Sequence, residues 1–314
     1  MSNVKTVAVV GTGAIGASWA AFFLYKGFRV NAYDPAVDAE NNLRQRVQVY
    51  LQDLFELEQK KELQLEQLMS ELSFSTDLAR IVKDADFIQE SGPERLALKR
   101  DLYAKITAYC PADTLIASSS SGLKVTEFQQ GCQHPERIIL GHPFNPPHLL
   151  PLVELVGGEL TSTEAVQAGY DFYLQLGKKP IILKKEIKGH IANRLQSALW
   201  REAFYLVSEG VCDAKDIDIA VSSGPGLRWA IYGPYLNMQL ANQNGFKAAM
   251  HHLGPPMTSW WQDMHEYELT EPKVAELEQQ MQMYVSSLGD VDLRAQRDQA
   301  LVEILAMRKQ LHLD

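Results

Sequence analysis

The stretch "VAVVGTGAIGASWAAFFLYKGFRVNAYD", Val7 to Asp34, carries no charged side chain over its first 19 residues. A run of that length behind Lys5 approaches what a membrane-spanning helix needs. The glycines point elsewhere. Gly11, Gly13 and Gly16 follow the β-branched run "TVAVV" and precede an apolar segment with helical spacing at Ile15, Trp19, Phe22 and Phe23. A second strand, "FRVNAYD", ends in Asp34, 18 residues beyond Gly16. Strand, tight turn, helix and strand make a βαβ unit carrying the dinucleotide-binding fingerprint. Gly11 permits the turn, Gly13 lets main chain approach a pyrophosphate, and Gly16 packs helix closely on strand, with the helix N-terminus toward the phosphates. Gly11, Gly13, Ile15, Gly16 and Asp34 are the cofactor contacts expected of this unit, Asp34 accepting from the adenosine ribose hydroxyls. Pro35 and Ala36 follow, with no Arg to meet a 2′-phosphate, so NAD is expected rather than NADP.

With 314 residues, 46% hydrophobic and 22% charged, the composition is that of a soluble globular protein of about two domains. Once the first run is assigned to the βαβ unit, no other apolar stretch is expected to span a membrane, and no secretory signal stands out. Cys110, Cys132 and Cys212 are an odd number without metal-like spacing, which predicts a reducing, cytoplasmic setting and no metal site. A net charge of -9 argues against nucleic acid as a partner, because neutralising phosphates needs a basic surface. His251 and His252 read as surface residues.

The segment "DAENNLRQRVQVYLQDLFELEQKKELQLEQLMSELSF" lacks Gly and Pro and has apolar residues at helical intervals. It predicts a helical hairpin that breaks near Lys60 and Lys61. Strand-like runs follow at "DFIQE", "TLIASS", "RIILGHPF", "LPLVELV" and "KPIILKK", separated by helical or turn-rich pieces. From about Gly189 the pattern becomes helical alone, beginning "HIANRLQSALWREAFYLVSEG". The expected architecture is an α/β Rossmann-type domain over residues 1–188 and an all-α domain over 189–314. The serines Ser118 to Ser121 form the one biased cluster, of a kind that is usually a turn or linker.

Four separated pieces, "ASSSSGLKVT", "GHPFNPP", "LPLVELVGG" and "GHIANRL", together resemble the 3-hydroxyacyl-CoA dehydrogenase superfamily. That resemblance covers essentially the whole chain and implies a Rossmann domain followed by an all-helical dimerisation domain, hence a homodimer. It maps the family's catalytic residues onto Ser121, His142, Glu154 and Asn193 and, through "PERLALK", cofactor contacts onto Glu94 and Lys99. Such chemistry is coherent: oxidation of a secondary alcohol needs a base for the hydroxyl proton while hydride leaves carbon for nicotinamide. Imidazole titrates near neutrality, which suits His142 as base, with Glu154 fixing its tautomer. Ser121 and Asn193 would donate to or position the reacting oxygen. Alone, His142 could be a turn residue, Glu154 part of a buried ion pair and Asn193 a helix cap. The joint spacing favours catalysis. His148, Cys132 and Lys124 read as structural.

The substrate region departs from the CoA-ester enzymes. Their helical domain has a short glycine turn, GxG, three residues, GP, where this chain has "GPGLRWAIYGP", with six residues between Gly226 and Gly233. The insertion brings Arg228, whose planar fork matches a free carboxylate that a thioester lacks. Here the chain looks like the branch containing L-gulonate 3-dehydrogenase and L-carnitine dehydrogenase. Trp229, Tyr232, Tyr235, Trp260 and Trp261 fall in the same region, and aromatic faces bind a trimethylammonium group well, though such residues also pack dimer cores. Ser121, Asn193, Arg228, Trp229 and Tyr232 are therefore the expected substrate contacts, and the expected reaction is NAD-dependent oxidation of a small L-3-hydroxy acid. Two alternatives stand beside it: a 3-hydroxybutyryl-CoA dehydrogenase, with Lys60 and Lys61 meeting nucleotide phosphates, and an NAD-binding structural or sensory protein without turnover.

Overall fold

The computed structural model describes residues 4–58 and 65–313, which leaves Lys60 and Lys61, and the break expected near them, outside the described residues. The chain divides between Asn193 and Arg194 into two compact units. In the first, eight strands form one sheet in the order β3-β2-β1-β4-β5-β6-β7-β8. The strands are β1 (Thr6–Val10), β2 (Arg29–Tyr33), β3 (Leu72–Ser75), β4 (Phe87–Glu90), β5 (Leu115–Ser118), β6 (Ile138–Pro143), β7 (Leu152–Gly157) and β8 (Lys179–Ile182). All neighbouring pairs are parallel except β6 with β7.

Both faces of the sheet are covered, and β1 shows how. Val7 and Val9 enter the apolar cluster that contains Trp19, Phe23 and Phe172, while Ala8 and Val10 enter the opposite cluster with Tyr103, Ile106 and Phe128. A strand's side chains alternate between faces, so a parallel strand buried on both sides reads as a continuous apolar run. The first helix, α1 (Ala14–Tyr25), is buried from Gly16 to Leu24, which accounts for its uncharged sequence without a membrane. Among the described residues no helix is long and apolar enough to cross one.

Strand β3 corrects the sequence reading. "LSFS" stands at the end of a segment expected to be helical throughout, yet among the described residues there only α2 (Ala39–Leu57) and α3 (Leu65–Ser70) are helical. Residues Leu72–Ser75 pair in parallel with Val30–Tyr33 of β2. The edge of β2 offers main-chain donors and acceptors that a four-residue pattern cannot report.

Further along the first unit come α4 (Leu78–Val82), α5 (Leu96–Tyr109), α6 (Val125–Phe128) and α7 (Thr163–Gln175). The helix α8 (Ala192–Ser208) begins at its end. The second unit continues with α9 (Ala214–Ser222), α10 (Pro225–Trp229), α11 (Pro234–Leu240), α12 (Phe246–Asp263), α13 (Glu271–Ser287) and α14 (Leu293–Gln310). Beyond Asn193 the buried hydrophobic residues, among those described, are Val207 and Ala249. Trp200, Trp229, Trp260 and Trp261 are all exposed.

Candidate active site

The sheet order reverses between β1 and β4, and in open α/β sheets ligands bind outside the carboxyl ends of strands at such a point. Gly11 follows β1 with φ +91°, and its N–H donates to the Tyr33 carbonyl at 2.8 Å. A Cβ there would stand 2.7 Å from the Ser91 carbonyl oxygen, and one on Gly16 would stand 1.8 Å from the Gly11 carbonyl oxygen. Both positions therefore admit glycine alone. A Cβ on Gly13 would meet nothing within 4 Å. Gly13 caps α1 without any side chain taking the first-turn N–H groups, which leaves a helix N-terminus facing open space. Those free donors and the positive end of the helix dipole fit a pyrophosphate. Ile15 is half-buried in that first turn and packs on the core.

Asp34 lies at the end of β2, as expected, and also ties the loop together. One carboxylate oxygen accepts from the Thr12 N–H at 2.8 Å and the Thr12 hydroxyl at 3.1 Å, the other from the Ala36 N–H at 3.0 Å. Lone pairs remain for ribose hydroxyls, and the negative charge opposes a 2′-phosphate. Wild-type turnover should therefore favour NAD strongly over NADP, with Asp34→Ala narrowing the gap when kcat/KM is measured for both. Equal or better efficiency with NADP in the wild type would refute this role for Asp34.

His142 and Glu154 are brought together by strand register. Strands β6 and β7 are antiparallel with His142 directly opposite Glu154, so both side chains emerge on one face. His142 Nδ1 lies 2.9 Å from Glu154 Oε2, with the histidine 4% exposed and the glutamate fully buried. The other carboxylate oxygen accepts from the N–H groups of Ile191 at 2.8 Å and Ala192 at 3.0 Å, at the start of α8. Burial acts to raise the Glu154 pKa, but the His142 hydrogen bond and these two N–H groups outweigh it and hold the carboxyl below its ordinary value. The ionised carboxylate only accepts, which puts the ring proton on Nδ1 and leaves the Nε2 lone pair toward Ser121, whose hydroxyl is 3.3 Å away.

The four serines at the end of β5 and just after it have separate roles. The Ser118 hydroxyl donates to Glu90 at 2.9 Å, that of Ser119 stands 2.9 Å from the Ser91 hydroxyl, and that of Ser120 donates to Glu94 at 2.5 Å. The hydroxyl of Ser121 is the one directed at His142. The cluster is thus a structured loop, where composition alone suggests a linker. Glu94 also accepts from the N–H groups of Gly122 at 2.9 Å and Leu123 at 3.0 Å. Burial works against its charge, yet these donors leave its pKa lowered. Asn193 reaches the Ser121 carbonyl with its side-chain amide at 3.5 Å. Ser121, His142, Glu154 and Asn193 therefore converge within the first unit.

Lys99 has a place that its motif does not foretell. Its ammonium is 1% exposed and lies 2.8 Å from both carboxylate oxygens of Glu90, which also accept from the Tyr103 hydroxyl at 3.0 Å. The buried charge is matched by an opposite charge with its hydrogen bonds filled, the condition under which such a pair persists. His148 is structural as expected. Its main-chain N–H donates to the Ser18 hydroxyl at 2.8 Å and its Nε2 lies 3.0 Å from Asp53, so the turn after His142 is fastened to α1 and α2.

In the second unit, the inserted "LRWAIY" forms much of α10 and the turn into α11. Arg228 and Tyr232 line a common pocket of about 240 Å³ with Ile231, Asn237, Leu240 and Ala241. Among the described residues no carboxylate stands within ion-pair distance of Arg228. Trp229 is not part of that lining, and Tyr235 stacks on Phe246 with ring centroids 6.1 Å apart. Among the described residues lining that pocket, Tyr232 is the aromatic that accompanies Arg228.

Residues 6–187 match the family model for the 3-hydroxyacyl-CoA dehydrogenase NAD binding domain, and residues 189–276 match that for the C-terminal domain. An L-carnitine dehydrogenase of Nocardiopsis dassonvillei is 45% identical over 96% of this chain and 91% of its own length. A 3-hydroxyacyl-CoA dehydrogenase of Gibberella moniliformis is 40% identical over 98% of this chain and 96% of its own. Among solved structures, 5-formyl-3-hydroxy-2-methylpyridine 4-carboxylic acid 5-dehydrogenase, an NAD+-dependent dismutase, superposes with a TM-score of 0.81 at 28% identity, covering 98% of this chain and 99% of that one. Two consecutive domain matches, an open helix N-terminus for a dinucleotide and a hydroxyl–imidazole–carboxylate chain beside it all agree: this protein belongs to the 3-hydroxyacyl-CoA dehydrogenase family and is an NAD-dependent oxidoreductase.

Proposed function

We propose that this enzyme oxidises the 3-hydroxyl of a small, free L-3-hydroxy acid, L-carnitine or a close relative such as L-gulonate, to the 3-oxo acid. The observation that carries the chemistry is the register pair: His142 opposite Glu154, with an Nε2 lone pair facing Ser121. The carnitine assignment is supported by relatives of that name at about the same length, and by Arg228 with its unpaired guanidinium.

In the proposed mechanism Gly11, Gly13, Ile15, Gly16 and Asp34 hold the dinucleotide, with Glu94 beside the nicotinamide ribose, while Lys99, buried against both carboxylate oxygens of Glu90, supports the segment rather than the ribose. Bound NAD supplies the hydride acceptor. Ser121 and Asn193 hold the substrate hydroxyl against His142. The Nε2 atom takes the hydroxyl proton as the C3–H bond gives up hydride, and Glu154 stabilises the imidazolium that forms. Arg228 receives the carboxylate end, with Tyr232 beside it. A domain of residues 1–188 binds cofactor and one of residues 189–314 serves substrate and assembly.

The second reading, an L-3-hydroxyacyl-CoA substrate, is favoured by the Gibberella relative's name. Comparing L-carnitine, L-gulonate and 3-hydroxybutyryl-CoA at equal concentration with NAD separates the two. Oxidation of the thioester alone would refute the free-acid assignment.

The partner is a second copy of the chain. A helical unit with two buried hydrophobic residues and four exposed tryptophans lacks the core that stability requires, and exposed apolar surface on that scale marks an interface. Sedimentation should show a dimer at micromolar concentration, and a monomer there would refute the assembly. Three free cysteines suit a cytoplasmic location for it.

A further inference from the structure

His190 stands in "GHIANRL" with no role drawn from that motif, yet it lies against the base. Its imidazole is 3% exposed, with its ring centroid 4.9 Å from that of His142 and the two planes at 49°. Its backbone has φ +51°, in the left-handed region that His, like Asn and Asp, adopts more readily than most residues. Nε2 lies 3.0 Å from the Ser120 carbonyl oxygen, which can only accept, so the proton is on Nε2 and the lone pair is on Nδ1. Nδ1 is buried with no hydrogen-bond partner. A second proton on Nδ1 would have no acceptor and would create a buried charge.

We infer that His190 is a positioning residue for the proton transfer: it fixes the Ser121 loop through the Ser120 carbonyl and keeps an uncharged ring against His142. This rests on the reading of His142 as the base. The titratable groups around His190 are His142 on β6, Glu154 on β7 and Glu94 ahead of α5. Burial, the largest influence, lowers the His190 pKa with a charged His142 in support; the Ser120 carbonyl, Glu154 and Glu94 act the other way without cancelling it. A neutral His190 leaves Glu154 to serve one imidazolium, and the proton arriving from substrate meets no second cation beside it. The carbonyl contact holds the residue next to Ser121, so the Ser121 hydroxyl keeps its place relative to Nε2 of His142.

The experiment pairs two substitutions with one measurement on the wild type. His190→Phe keeps a ring against His142 but removes the donor to Ser120, and should lower kcat about tenfold or more, since small misplacements of reacting groups are costly. NAD affinity, read by fluorescence titration, should stay unchanged in that variant. In His190→Gln the amide nitrogen reaches about as far as Nε2, so it should recover most of the loss. Wild-type kcat and KM for Phe and Gln alike, or an equal loss in both, overturns the proposal. For the wild type, histidine-ring nitrogen NMR should show His190 neutral with its proton on Nε2 across the pH range in which the enzyme is active; a doubly protonated His190 ring in that range overturns the proposal whether or not either variant folds. Should His142→Ala retain turnover, the underlying assignment of the base fails, whereas an inactive His142→Ala beside unaffected His190 variants refutes this inference only.

Discussion

Replacing His142 with alanine should lower turnover of the 3-hydroxy acid by about 10²–10⁴-fold, the usual worth of a positioned general base. NAD affinity should hardly change, because the glycine turn and Asp34 are supported by contacts to β2 and Ser91 that do not involve His142. Glu154→Gln is the companion variant. An amide in that buried position has one oxygen for the three donors now shared between two, His142 Nδ1 and the N–H groups of Ile191 and Ala192, so the imidazole loses its fixed tautomer. The rate should fall and the pH profile should move. Since the folded Glu154 pKa lies below its unfolded value, the stability its charge contributes is present above the unfolded value and is lost as pH falls through the folded one. The glutamine variant should therefore show less acid destabilisation than the wild type in thermal melts between neutral and acidic pH. Near-normal turnover by His142→Ala would end this mechanism.

Arg228→Met should weaken transition-state binding of a free 3-hydroxy acid by about 2–5 kcal/mol, the cost of leaving a desolvated anion without its partner. Steady-state kinetics should show this as a sharply raised KM for carnitine and gulonate, with NAD affinity spared. The structure supports the choice of residue through its exposed, unpaired guanidinium in a pocket with Tyr232. For carnitine, an aromatic face should add about 0.5–2 kcal/mol over a neutral isostere of the same shape. With Tyr232 as the sole aromatic lining that pocket, Tyr232→Leu should erode this preference more than Trp229→Leu does. A thioester oxidation rate that Arg228→Met leaves unchanged, with no activity on free acids, would sink the assignment.

The βαβ unit could be read from residues 7–34 alone because its determinants are local. Glycine spacing, apolar periodicity and a terminal Asp all act within one supersecondary unit. The five later strands and the change to helices near Gly189 were legible for the same reason. Strand β3 was not, since four residues, of which Leu72 is buried and Ser73 exposed, acquire strand character from the edge of β2. Spacing marked Ser121, His142, Glu154 and Asn193 through a family resemblance. That His142 faces Glu154 across an antiparallel pair, and that three of the four serines are engaged with Glu90, Ser91 and Glu94, is decided by strands far apart in the chain. Lys99 and His190 make the same point: a polar side chain's role depends on which donor or acceptor the fold sets beside it. Lys99 meets Glu90 and His190 meets Ser120, pairings that become possible only when β4, α5, the turn after β5 and the segment leading into α8 are folded together.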